Sequence, residues 1–192
     1  LLVKANRIVP VAELADIVWD GTPPPGARPT LRSYVMRLRR AVGPAVAARI
    51  QTRDPGYLCQ VADDELDMRR FEALCRQGAA ALKARSWQRA WDVLAEALGL
   101  WRGAPLADVG SQLLQGECVP PLEQARLQAL EWRIEADLHL GRHEQLVAEL
   151  QALVEAHPLR ERGDAQLMLA LYRCGRRAEA LDAFGRIRRV LA

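Results

Sequence analysis

Arg28, Arg32, Arg37, Arg39, Arg40, Arg49 and Arg53 all fall between Gly21 and Arg53, a stretch without a single Asp or Glu. Four of them lie in "TLRSYVMRLRRAV", residues 30–42, interleaved with Thr30, Ser33 and Tyr34. A guanidinium can pair bidentately with a guanine edge or clamp a phosphate. Ser, Thr and Tyr hydroxyls add phosphate and base contacts. An ordinary solvated helix would interleave acids, so a one-sign segment of this kind points to a polyanionic partner, duplex nucleic acid.

Other chemistry is poorly served. His139 and His143 are four apart, as a zinc-binding helix would need, but Gly141 lies between them at an expected helix end and no third ligand has a useful spacing. Asp63-Asp64-Glu65 reads as a charged linker and a helix N-terminus, where acids are favoured. The chain has no G-x-x-x-x-G-K-[ST] phosphate loop and no G-x-S-x-G nucleophile motif. Trp87, Trp91, Trp101 and Trp132 fit packing between helical hairpins better than a ligand pocket. Cys59, Cys75, Cys118 and Cys174 show no metal-type spacing and read as free buried thiols in a reducing cytoplasm. The expectation is a protein that is not an enzyme and carries no cofactor or metal.

With Leu31 at zero on a helical wheel, Leu31, Val35, Leu38 and Val42 fall within about 60° of one another, a narrow core stripe. Ser33, Met36, Arg37 and Arg40 point the other way; Arg32 and Arg39 occupy one flank, Thr30 and Tyr34 the other. This helix is expected to begin at Thr30 and end at Gly43-Pro44. Before it, "DGTPPPGARP", residues 20–29, reads as a stiff non-helical loop. A helix with Pro10 in its first turn comes earlier, buries Leu14, Ile17 and Val18, and closes on Trp19. Leu1–Ala5 reads as the tail of another helix. The opening "LLVKANRIV" without Met suggests that part of the first domain lies upstream. After the arginine helix, strand formers flank Asp54-Pro55-Gly56 in "RIQTRDPGYLCQV", residues 49–61, which predicts a β-hairpin.

From residue 63 onward the pattern is helical throughout. Phe71, Leu74, Cys75 and Leu82 mark one amphipathic helix, and Trp87, Trp91, Leu94 and Leu98 the next. Gly103-Ala104-Pro105 is a break, and Pro120-Pro121 is expected to start a long helix to about Leu140. "LHLGRHEQLVAEL" from Leu138 and "YRCGRRAEALDAF" from Tyr172 are 34 residues apart, the tetratricopeptide period. That shift lays Gly141 on Gly175, Leu150 on Phe184 and Leu153 on Ile187. Charge divides at the same boundary. Residues 1–62 hold nine Lys/Arg against four acids, net +5, and residues 63–192 hold 18 against 20, net −2. No run of about 18 apolar residues marks a membrane span.

Helix, loop, basic helix, hairpin is the order of a winged helix-turn-helix. At "LRSYVMRLRRAVG" and "QTRDPGYLC" the chain resembles the DNA-binding domain of OmpR/PhoB-type response regulators. At "LDMRRFEAL", "LWRGAPLADV" and "HPLRERGDAQLMLALYRCGRRAEAL" it resembles the bacterial transcriptional activator domain. The tandem resembles the Streptomyces antibiotic regulatory protein (SARP) family across nearly the whole chain. The resemblance implies a mainly α fold. A truncated winged helix-turn-helix over residues 1–62, lacking the family's N-terminal sheet, would precede an all-α TPR-like domain over residues 63–192. It also implies a cytoplasmic, nucleoid-associated activator that binds promoter direct repeats as a homodimer. Such an activator would recruit RNA polymerase holoenzyme, sigma factor included, to secondary-metabolite genes. Its DNA contacts would fall on Thr30, Arg32, Ser33, Tyr34, Arg37, Arg39 and Arg40, on Arg53 of the wing, and on Trp19 against the backbone. The polymerase-facing loop would carry Asp20, Thr22, Pro23, Pro24, Pro25 and Arg28. The competing reading is a helical-repeat adaptor that binds another protein and uses the basic part only as an anchor.

Overall fold

The computed structural model describes residues 1–190; Leu191 and Ala192, the last two residues of the expected helical domain, lie outside the described residues. The fold is mainly helical. Among the described residues the order is β1 (Ile8–Pro10), α1 (Val11–Val18), α2 (Ala27–Ala41), α3 (Gly43–Ala47), β2 (Ile50–Arg53), β3 (Gly56–Cys59), α4 (Asp67–Lys83), α5 (Trp87–Gly99), α6 (Gln112–His139), α7 (His143–Ala156), α8 (Glu161–Arg173) and α9 (Arg177–Val190). They form two compact units. One comprises Leu1–Arg70 with Trp101–Gln124, the other Phe71–Leu100 with Ala125–Ala192.

In the first unit the predicted hairpin is present. Asp54 and Pro55 make its turn, and β2 pairs antiparallel with β3 from Ile50 opposite Cys59 to Arg53 opposite Gly56. A third strand extends it. β1 pairs antiparallel with β3 in the order β1-β3-β2, with Val9 opposite Tyr57 and Pro10 opposite Gly56. β1 is not legible in the sequence, because three residues hold too little alternation to be read. Leu1–Ala5, expected to be helical, is turn and irregular chain. Asn6 explains how that chain joins the sheet. Its side-chain amide donates to Val61 O at 2.8 Å and its Oδ1 accepts the Val61 N–H at 3.0 Å, continuing the ladder beyond the strand. Gly56 is required by the same pairing, since a Cβ there would lie 1.8 Å from Val9 O.

Val9, Leu14, Leu31, Val35, Ile50 and Tyr57 form the center of this unit's core. Three expectations about its helices need correction. α2 starts at Ala27, so Arg28 and Pro29 lie in its first turn, where a proline has no helical N–H to lose. Gly26, at φ 86, supplies the left-handed bend ahead of it. The buried stripe of α2 is shorter than the wheel suggested. Leu31 and Val35 are buried and Val42 packs against the core, but Leu38 at its margin is 42% exposed. In α1, Leu14 and Ala15 are the buried pair, while Val18 is 49% exposed.

In the second unit, small residues let helices approach closely. A Cβ on Gly78 of α4 would lie 2.5 Å from the Leu94 side chain of α5, and Ala81, Ala90 and Ala136 pack together without exposure above 6%. Leu127, Ile134, Leu150 and Leu167 anchor the larger cluster. The 34-residue repeat appears as equivalent turns. Gly141 and Gly175 have φ 81 and 76, and Arg142 and Arg176 each donate a backbone N–H to the carbonyl five residues earlier, Asp137 and Leu171. Burial does not follow the repeat: Leu150 is fully buried, whereas its counterpart Phe184 is 49% exposed. α6 begins at Gln112 rather than Pro120 and runs through both prolines. Each proline removes one helical donor, but Gly116 and Glu117, whose carbonyls lose those donors, are exposed and can be met by water.

Candidate nucleic-acid interface

α2 presents the expected residues on one amphipathic helix, and its neighbours sort them. Arg28, Arg32, Arg37 and Arg40 are exposed, and none forms an ion pair with a described residue. Tyr34, 44% exposed, stacks on Trp19 of the preceding segment with centroids 6.2 Å apart and planes at 23°. The Arg37 guanidinium lies 5.4 Å from the Tyr34 centroid, within cation–π range. Trp19, Tyr34 and Arg37 thus make one stack that links the end of α1 to the outer face of α2.

The hydroxyls of Thr30 and Ser33 donate back along the helix, to Gly26 O at 3.1 Å and Pro29 O at 3.2 Å. A hydroxyl has one donor, so either must turn away from its carbonyl to donate to a phosphate.

Arg39 is engaged differently. Its Nε and Nη2 donate to Ile50 O at 2.9 and 2.6 Å, and Nη2 also donates to Thr52 Oγ1 at 3.0 Å. The same guanidinium stands 5.8 Å from the Tyr57 ring. Arg39 therefore fastens α2 to both strands of the hairpin. Arg49, part of the acid-free stretch, is not acid-free in space: Nη1 lies 2.6 Å from each Glu65 oxygen. That hydrogen bond, with the Ala62 N–H, holds the Glu65 carboxyl below the usual carboxylate range. Arg53 stands exposed on the hairpin, where Nη2 donates to Gln51 Oε1 at 2.9 Å.

The loop between α1 and α2 is anchored at one end. Asp20 Oδ1 accepts the Leu113 N–H at 2.8 Å and the Ser111 hydroxyl at 3.3 Å, while Ser111 Oγ accepts the Leu114 N–H at 3.2 Å. Together they cap the start of α6. Thr22, Pro23, Pro24 and Pro25 remain exposed, with Thr22 Oγ1 donating to Trp19 O at 3.0 Å. This cap is only half legible in the sequence. Ser111 ahead of the apolar Leu113-Leu114 was a readable start signal, but nothing local marks Asp20 as its companion.

His139 stacks on Trp87 with centroids 3.8 Å apart, and His143 sits in the first turn of α7, so they serve separate helix ends. Trp91 packs against the alanine cluster, 4.8 Å beneath the Arg142 guanidinium. Among the described residues no group of three His, Cys, Asp or Glu is arranged to hold a metal, and no helix is long and apolar enough to cross a membrane.

Comparison with known proteins joins this geometry to a family. The bacterial transcriptional activator domain matches residues 66–192. Regulatory protein DnrI of Streptomyces peucetius is 39% identical over 199 residues, an alignment covering 100% of this chain and 73% of that protein. Regulatory protein AfsR of Streptomyces coelicolor is 41% identical over 193 residues, with 19% of its length covered. The solved structure described as Mycobacterium tuberculosis EmbR in complex with low affinity phosphopeptide superposes with a TM-score of 0.92 at 34% identity, covering 100% of this chain and 52% of that one. With the arginine helix, its wing and the helical unit in that order, the chain belongs to the SARP family of transcriptional activators.

Proposed function

We propose that the chain binds promoter direct repeats as duplex DNA and activates transcription by contacting RNA polymerase holoenzyme, sigma factor included. α2 enters the major groove, Arg53 reaches the adjacent minor groove, and Thr22–Pro25 face the polymerase. Two chains bind side by side, head to tail, because direct repeats need two reading heads in one orientation and each chain has one. The targets are secondary-metabolite genes, and the site of action is the nucleoid in the cytoplasm.

The observation that carries this reading is the Arg39 clamp. It ties the wing to the reading helix, while Arg32, Arg37, Arg40 and Arg53 form no ion pair with a described residue. A cationic surface held rigid before binding loses less entropy on the DNA.

Gel-shift titration and footprinting test it together. Arg37→Ala is expected to cost about 1–3 kcal/mol on the specific site and little on random DNA. Arg53→Ala is expected to weaken binding and flatten the salt dependence, with altered protection in the minor groove beside each half-site. Equal losses on both DNAs would make Arg37 a phosphate contact. Unchanged minor-groove protection would remove Arg53 from the interface.

A further inference from the structure

The second unit contains a cavity of about 500 Å³, walled by Gln151, Val154 and Glu155 of α7, Asp164 of α8, and Arg186 and Ile187 of α9. That volume lies within the range of small-molecule sites, about 300–1,000 Å³. Its chemistry centers on Asp164. The side chain is only 3% exposed, and neither carboxylate oxygen accepts a hydrogen bond from any described residue. Arg186 Nη2 is 3.8 Å from Oδ1, beyond hydrogen-bond reach, and its side chain is 48% exposed. Burial pushes the Asp164 carboxyl above its usual range, and Arg186 opposes that only in part.

A buried carboxylate without a donor is costly. Its place in the first turn of α8 offsets part of that cost through the helix dipole. A complete partner would be a charged donor arriving through the cavity. Asp164 and Glu155 outnumber Arg186 there, so a cation is favoured over an anion. Val154 and Ile187 supply apolar wall for a hydrocarbon stem. We infer that this cavity binds a small organic cation, an ammonium or guanidinium on a short apolar stem, with Asp164 as its counter-ion and Arg186 as the internal competitor that it displaces.

The test is an amide-resolved NMR titration of the full chain with n-butylguanidinium and n-butylammonium chloride, with n-butanol as the uncharged control. Both cations are expected to give saturable shifts at Val154, Asp164 and Ile187, and butanol none. Asp164→Asn, which keeps the shape and removes the charge, should weaken binding by about tenfold or more, the scale of one charge-assisted hydrogen bond. Arg186→Gln should tighten it severalfold. Absence of saturable shifts with either cation, equal response to butanol, or wild-type affinity in Asp164→Asn would each overturn the assignment. If Asp164→Asn loses its native spectrum, Arg186→Gln decides: tighter binding supports the site, and unchanged or weaker binding overturns it.

Discussion

Arg37 and Arg39 are two residues apart on one helix and do different work. Arg37 lies on the exposed face over Tyr34, whereas Arg39 is half-buried and spends its donors on Ile50 O and Thr52 Oγ1. Truncating Arg39 leaves a carbonyl that charge-assisted donors had satisfied, a loss of about 1–3 kcal/mol. Arg39→Ala should therefore lower the urea midpoint of unfolding, while Arg37→Ala should stay within about 0.5 kcal/mol of the parent. Equal midpoints for both variants would mean that the clamp contributes nothing in solution, and any binding defect of Arg39→Ala would then come from lost DNA contact.

At the scale of elements, the loop before α2 is expected to be separable from DNA affinity. Asp20 is committed to the α6 cap, whereas Thr22 to Pro25 are exposed. Replacing Thr22 to Pro25 with Gly/Ser should keep operator affinity within a few fold and lower transcription with purified polymerase. A parallel loss of both would reduce the loop to a support for the two helices. A second element-level expectation concerns the α4–α5 turn. Ser86 N–H donates to Ala81 O, the same five-residue closure seen after α6 and α8, but Arg85 at φ 54 occupies the left-handed position that Gly141 and Gly175 fill elsewhere. Cβ crowding there costs about 1 kcal/mol. Arg85→Gly should raise the melting temperature despite glycine's greater freedom in the unfolded chain; a lower melting temperature would show that the arginine contributes contacts that outweigh the strain.

At the scale of the molecule, the compact units do not coincide with a single cut in the chain. The family match starts at residue 66, yet Trp101–Gln124 belongs to the unit of Leu1–Arg70. Lys4 pairs with Glu13 and, at 2.9 Å, with Glu117; Asp20 caps α6; Arg69 Nη2 donates to Ala5 O at 2.8 Å. A fragment of about 60 residues is marginal even with all its contacts. A chain truncated after Ala62 keeps the Lys4–Glu13 pair but loses Glu117, the α6 cap and Arg69, and should melt without a cooperative transition by circular dichroism. Cooperative binding to two repeats is therefore best tested in the full chain. A truncated chain with a sharp melt and full operator affinity would show that Trp101–Gln124 is dispensable.

Features that fit within a window of a few turns are legible in the chain before it folds. The amphipathic arginine helix, the Asp54-Pro55-Gly56 hairpin and the glycine-marked 34-residue repeat all rest on periodicity or turn chemistry, and all three appear in the fold. Folding sets which partners meet across long separations. It paired Arg49 with Glu65, turned Arg39 onto the hairpin and brought Asp20 to a helix start 93 residues away. It also made a strand of Ile8–Pro10, too short for a pattern, and carried α6 through Pro120-Pro121 where solvent can reach the unmet carbonyls. A charge count along the chain cannot tell a free guanidinium from a satisfied one, because that depends on donor and acceptor geometry set only when distant elements pack.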